Sequence, residues 1–506
     1  MDLRIRYINN SIANIAGWVW LTILNIIVTP YMVHRLGYDG YGILSLVLLV
    51  LGYFAFLDLG LGDGVIKYVS HYYALGDTKK VNRIINSILF LFTIIGLLGA
   101  VLIVLFTHFF VLMIFKIPPE LQPIAVDCFY ISAFGFFLNL IFGVISKIPE
   151  ALQRFDVSNR NNILIGTIVT LLNVGLLVAG YGVREVVIMN VLGSIGGLIV
   201  FYTSARRLLS DLKIDLRFSL EDFREVVHFG LYNVYTKSTG ILTESINQLF
   251  VSCLVGSAGL TIFNVPFKIV NRFQAFIQRL SSIVFPVSSE LLAQQDLLRL
   301  KKVYLKLARY LFFISNILFI PLLSYSYHIL YFWMGEDFAR KGGQAMFCIS
   351  LTFYFISWTA IPGLVALGMG RPKYNAMFST ITAFINLVIV YPLTKRFGVN
   401  GAAMAFFLSS IQVPVAIYVI NKRVVQVKTN EYIKYVYGIH SIVSFCMYLL
   451  FAFVAKLLII DLLSFMGVLI GSYLLLICLF WKMGLAPEDK AIFKSKLPVF
   501  ITKCSF

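Results

Sequence analysis

Three cations recur at spacings of four and seven inside one apolar segment: Lys268, Arg272 and Arg279. The apolar segment before it carries Lys237, Glu244 and Gln248 at spacings of seven and four. At about 100° per residue the three cations cover an arc of only about 40°, one stripe along one face of a helix. A charge at mid-membrane costs roughly 3 kcal/mol on insertion scales, so it normally faces a water-filled cavity or a counter-charge. The chemistry on offer is anion binding rather than catalysis. Arg grips a phosphate bidentately and Lys acts as a compact point charge, a mixture that suits a pyrophosphate. At about 1.5 Å per residue, Lys268 lies about 14 Å and Arg272 about 20 Å along the helix from its outer end at Gly259. Arg279, about 30 Å along, is near the cytoplasmic surface, where a long side chain can also simply snorkel. Glu244 is the obvious partner for Arg272 or Lys268, as a structural tie, a proton- or cation-responsive switch, or part of a substrate shell. Asp58, at the end of the second apolar segment, is a further ion-pair or coupling candidate. The bland alternative for the stripe is a set of structural ion pairs with neighbouring helices.

The elements that must position these residues are membrane helices. Of 506 residues, 59% are hydrophobic and 13% charged, and the mean hydropathy is +0.87. A soluble fold needs more charge to cover its surface, so the composition describes a polytopic membrane protein. Apolar runs predict fourteen spans, at 11–33, 41–61, 84–106, 124–145, 163–180, 183–203, 229–255, 260–285, 310–332, 345–368, 375–394, 399–420, 437–458 and 462–481. The net charge of +18 does not call for nucleic acid. With the N-terminus inside, 30 of the 42 Lys and Arg fall in cytoplasmic segments and eight in outside loops, as the positive-inside rule requires. Both termini are then expected in the cytoplasm, with the run from Ser11 to Val33 as the first membrane helix rather than a cleaved signal. The longest cytoplasmic stretch, 204–228, reads as an amphipathic surface helix. No connection is large enough for a soluble catalytic domain.

The chain also repeats itself at an offset of 219 residues. Gly37 and Gly40 match Gly256 and Gly259, while Ser70, Ala74 and Asp77 match Ser289, Ala293 and Asp296. The expected fold is therefore all-α, with two parallel six-helix lobes (1–210 and 211–425) related by a pseudo-two-fold along the membrane normal. Two further helices and a cytoplasmic tail fill 426–506. Parallel repeats of this kind put substrate sites at the interface of their halves. The six cysteines show no CxxC spacing, and there is no GxxxxGK[ST] or HExxH string, so no metal, cofactor or catalytic residue is indicated.

The ordered motifs resemble the polysaccharide/O-antigen flippases (Wzx or polysaccharide-transporter type) of the multidrug/oligosaccharidyl-lipid/polysaccharide exporter superfamily. The likeness rests on Arg35-Leu36-Gly37 with Tyr41-Gly42, Asp58-Leu59-Gly60-Leu61-Gly62, Ala74-Leu75-Gly76-Asp77 and Leu152-Gln153-Arg154-Phe155-Asp156. In the second half it rests on Gly370-Arg371-Pro372 and Phe397-Gly398-Val399-Asn400-Gly401-Ala402-Ala403. It covers roughly 1–425; the last two helices are generic. The resemblance implies a bacterial inner-membrane protein that moves undecaprenyl-pyrophosphate-linked sugar repeat units to the outer leaflet by alternating access. It implies membrane lipid as a partner, proton or sodium as a coupling ion, and a polysaccharide polymerase and chain-length protein as neighbours. Lys237, Lys268, Arg272, Arg279 and Gln248 are the expected contacts of the anionic cargo. Two other readings stay open at this stage. An ion-coupled multidrug exporter of the same superfamily would prefer an acidic cavity. A membrane-embedded polymerase or glycosyltransferase would want longer outside loops than those near 107–123 and 333–344.

Overall fold

The computed structural model describes the backbone of residues 3–54, 61–215, 218–219, 243–485 and 488–491, and the side chains of all of these except 3–16, 52–54 and 61–63. The described residues form helices and turns, with no strand among them. Ten of these helices are long and apolar enough to cross a membrane, so the protein is an all-α, multi-pass membrane protein. Two of the ten, Gly17–Leu51 and Lys373–Val425, contain a glycine with non-helical geometry: Gly37 (φ 71°) and Gly398 (φ 57°). Each is a pair of helices run end to end through a conformation that glycine adopts without steric cost. The helix Ser257–Ser281 is not among the ten, because Lys268, Arg272 and Arg279 interrupt its apolarity.

Helices on the predicted cytoplasmic side outrun their apolar cores because side chains cap them. Thr78–Phe109 starts on Asp77, whose carboxylate accepts the Lys80 N–H at 2.8 Å. Leu297–Ser324, expected only from 310, starts on Asp296, which accepts the Arg299 N–H at 3.0 Å. The two aspartates are the repeat-related pair, and each satisfies backbone donors that a helix N-terminus leaves open.

One expectation is corrected. The segment 204–228 does not continue as a surface helix through its described part: the helix Val183–Leu208 ends at Leu208, and 212–215 run without regular structure. The cause is a clamp from Thr78–Phe109. The Asn82 and Asn86 amides donate to the Asp211 and Lys213 carbonyls at 2.9 and 2.7 Å. Their carbonyl oxygens accept the Lys213 and Asp215 N–H groups at 2.9 and 2.8 Å. Two asparagines one helical turn apart thus take over the backbone bonds a helix would have made.

The chain divides into two compact units, Met1–Val265 with Thr394–Val399, and Pro266–Leu393 with Asn400–Phe506. Within the first, Gly96 and Gly99 let Thr78–Phe109 close on Gln122–Ala151. A methyl on Gly99 would meet the Phe136 ring at 2.3 Å, the small-residue packing that membrane helices use for close approach. Within the second, the final helices Gly438–Leu458 and Leu462–Leu479 dock on Leu297–Ser324. Ile320, Tyr325, Phe451, Ala455, Phe465 and Leu476 form the shared core. Polar ties cross it: Tyr325 with Ser472 at 2.6 Å, and Asn316 donating to Ser444 at 2.7 Å. The opposite faces of both helices expose Ile439, Ile442, Phe453, Leu463 and Leu474, as lipid-facing surfaces do.

Candidate functional site

The cationic helix is anchored at its first turn by the first repeat. The Asp39 carboxylate accepts the Ala258 N–H at 3.0 Å and the Ser257 hydroxyl. The Thr261 hydroxyl donates to the Tyr38 carbonyl at 2.6 Å. Lys116 adds its carbonyl, accepting the Ser257 N–H at 3.3 Å, while its ammonium donates to the Leu254 carbonyl at 2.9 Å. These bonds need close backbones, and two glycines supply them. A Cβ on Gly42 would stand 2.1 Å from the Ser257 carbonyl oxygen, and one on Gly256 (φ 108°) 2.6 Å from that of Lys116. Asp39 therefore caps a helix that begins more than two hundred residues later.

From Gly259 to Phe267 every residue of this helix is buried. Lys268 is its first exposed position, and Arg272 and Arg279 are exposed on the following turns. Between them Ile269, Val270, Gln274 and Ile277 are buried. The structure thus brings Lys268, Arg272 and Arg279 together on one exposed face of one helix. No hydrogen bond or ion pair reaches Arg272 among the described residues. In the first repeat the residue in register with Lys268 is Leu49, and it is 7% exposed. Glu244 and Gln248 lie one turn apart on the helical stretch 243–254, both half-buried. Lys237 and Asp58 lie outside the described residues. No cluster of metal-ligating side chains occurs among the described residues.

Sequence reasoning gave no role to three positions. Asp39 was hidden by the distance to its partners, although the doubled glycine turn around it was visible. Gln274 and Asn247 are buried, and the Oε1 of one and Oδ1 of the other accept no hydrogen bond among the described residues. A buried amide oxygen left in that state is costly, so both mark helices worth probing.

Comparison with known proteins agrees with this frame. The model of the polysaccharide biosynthesis protein family matches residues 35–340. A curated relative named "Putative O-antigen transporter", from Shigella flexneri, is 22% identical over 416 residues, covering 80% of this chain and 95% of its own. Among solved structures, the lipid II flippase MurJ in an inward closed conformation superimposes with a TM-score of 0.68 at 14% identity, covering 94% of this chain and 99% of its own. An inward-facing multidrug-resistance MATE transporter gives 0.63 at 13%, covering 82% and 99%; at these identities both show the fold. The chain therefore belongs to the polysaccharide biosynthesis protein family.

Proposed function

We propose that this protein carries undecaprenyl-pyrophosphate-linked oligosaccharide repeat units, of the O-antigen, capsule or exopolysaccharide kind, across a bacterial inner membrane by alternating access. The observation that carries the reading is the exposed face shared by Lys268, Arg272 and Arg279. Cations on a membrane helix do not stably face hydrocarbon, so this face belongs to a hydrated path, and its sign selects an anionic headgroup. Lys268 and Arg272, with Lys237 and Gln248, hold the diphosphate or an acidic sugar, and Arg279 meets it nearer the cytoplasmic surface. The polyprenyl tail stays in lipid. Glu244 and Asp58 are the groups through which proton or sodium would couple. Two six-helix lobes plus two helices, with both termini cytoplasmic, are the frame of this reading, and a polysaccharide polymerase and chain-length protein would act on what it delivers. The protein performs no covalent step in this scheme.

Replacing Arg272 or Lys237 with Ala should abolish surface polymer in a strain lacking the native gene, with the protein still present in the membrane. Wild-type polymer in both variants would sink the assignment. The MATE-like fold also favours a second reading, ion-coupled drug export. Resistance to a cationic drug conferred by the wild type and lost on Glu244→Gln, with polymer unchanged by Arg272→Ala, would select it.

A further inference from the structure

A second basic site lies elsewhere in the second unit. The helix Val413–Ile420 runs into a π-helical turn, Asn421–Val425, that stops at Gln426 in the left-handed conformation (φ 58°). The chain then re-enters a helix at Thr429. Between them is a recess of about 550 Å³, lined by Tyr418, Lys422, Gln426, Lys428, Thr429 and Asn430 with Val427 at its floor and no acidic side chain. Its position is an edge: one apolar helix ends at Val425 and the next begins at Thr429.

The recess is built on a rigid base. The Asn421 carbonyl accepts the N–H groups of Gln426 and Val427, the latter at 3.0 Å, closing the turn. Asn421 is fully buried, and its side-chain oxygen accepts the Tyr304 hydroxyl. The Tyr304 and Tyr432 rings stack with centroids 5.5 Å apart. Lys422 is held at the mouth by the Tyr418 hydroxyl at 3.3 Å and lies over that ring. The side chains of Lys428 and Gln426 make no hydrogen bond or ion pair among the described residues. Glu431, one turn further on, does not line the recess. The helices leading away from it expose Ile411 and Val415 on one side and Ile439 and Ile442 on the other.

Two ammonium groups, free amide and hydroxyl donors, and apolar tracks leading into the bilayer together fit a phosphate with acyl chains attached. We propose that this recess binds the headgroup of an anionic membrane phospholipid, with its acyl chains lying along the exposed apolar residues of the two flanking helices. Basic pockets at the ends of membrane helices recognise anionic headgroups, and each lysine near the surface contributes about a fivefold gain in affinity. With the termini inside, the lipid belongs to the cytoplasmic leaflet, and it is a resident of the protein distinct from the cargo.

The test uses the full-length protein in a neutral detergent and reads lipid retention by native mass spectrometry, with phosphatidylglycerol or phosphatidylcholine titrated in. The wild type should retain one phosphatidylglycerol in preference to phosphatidylcholine. The Lys422→Gln/Lys428→Gln variant should lose that preference by about thirtyfold at an unchanged melting temperature. The Lys422→Arg/Lys428→Arg variant should keep it, so a folding defect is told apart from a lost site. No preference in the wild type, or an undiminished preference in the glutamine variant, overturns the proposal. Displacement of the lipid by millimolar inorganic phosphate would also overturn it, as a free-anion site. Because lipid retention is read without any cargo moving, the outcome is independent of the transport reading.

Discussion

Leu49 and Lys268 occupy the same register in the two repeats, yet one is buried among helices and the other is an exposed charge. The parts around them hardly differ. Asp77 and Asp296 cap equivalent helices. The Ser70 hydroxyl donates to the Ala151 carbonyl at 2.6 Å, and that of its counterpart Ser289 to the Gly368 carbonyl at 3.3 Å. The positive-φ turns that follow, Gln153 (φ 56°) and Gly370 (φ 69°), also correspond. What the two copies share is the means of holding helices in place, and what separates them is the chemistry on one face of one helix. On the proposed function, the cargo site is a side-chain pattern added to a frame that both halves build.

The sharpest way to break that contrast is to exchange its two members. Leu49→Lys would bury an unpaired charge, at a cost of several kcal/mol, so the variant should be lost from the membrane fraction on immunoblot. Lys268→Leu should reach the membrane at wild-type level with surface polymer lost. Normal polymer in the second variant would mean that the exposed charge is ornamental. The joint at the head of the cationic helix offers a second contrast, because the register partner of Gly42 is Thr261. Gly42→Ala meets a backbone oxygen that no rotamer can avoid, and should cost about 1–3 kcal/mol, read as a lower melting temperature in detergent. Thr261→Ala removes one hydrogen bond, worth about 1 kcal/mol. Equal shifts would show that the joint is looser than its geometry.

The two latches differ by one methyl group. A Cβ on Gly368 would lie 2.7 Å from that of Ser288 and 2.9 Å from the Phe285 carbonyl, so Gly368→Ala should destabilise by about 1–3 kcal/mol. Ala151→Gly should cost about 0.5–1 kcal/mol. Asp77→Ala and Asp296→Ala should each cost about 1 kcal/mol, and a twofold disparity in melting shift would mark one half as carrying more of the stability. A third cap outside the repeats supplies a pH control. The Ser464 N–H, 2.8 Å from the Asp461 carboxylate, holds that carboxyl below its ordinary range. Its stabilisation is then present above the ordinary carboxylate pKa of about 4 and is lost as pH falls through the lowered value. The melting difference between wild type and Asp461→Ala should be steady from pH 7 to 5 and narrow below that.

Much of the frame is legible in the sequence because its causes are local. The all-α membrane fold and the stripe of Lys268, Arg272 and Arg279 follow from hydropathy and spacing within single helices. The missed features depend on partners far along the chain. Asp39 finds Ala258 219 positions away, and Asn86 finds Asp215 at 129. No periodicity within a window encodes such pairings. The expected surface helix over 204–228 gave way at 209–215 for the same reason: two asparagines elsewhere offered that stretch of backbone a better set of bonds.

That asparagine clamp has a consequence for engineering. Asn82 and Asn86 grip main-chain groups of Asp211, Lys213 and Asp215, so they read the path of the connector. The connector's path is therefore held largely by its backbone, and most of its side chains can be exchanged for those of a relative with the seat kept. Hybrid transporters that join the first half of one homologue to the second half of another should be spliced at this point, where main-chain bonds to two asparagines hold most of the junction and the Asp211 side chain, which accepts from the Thr78 hydroxyl, is the one to keep.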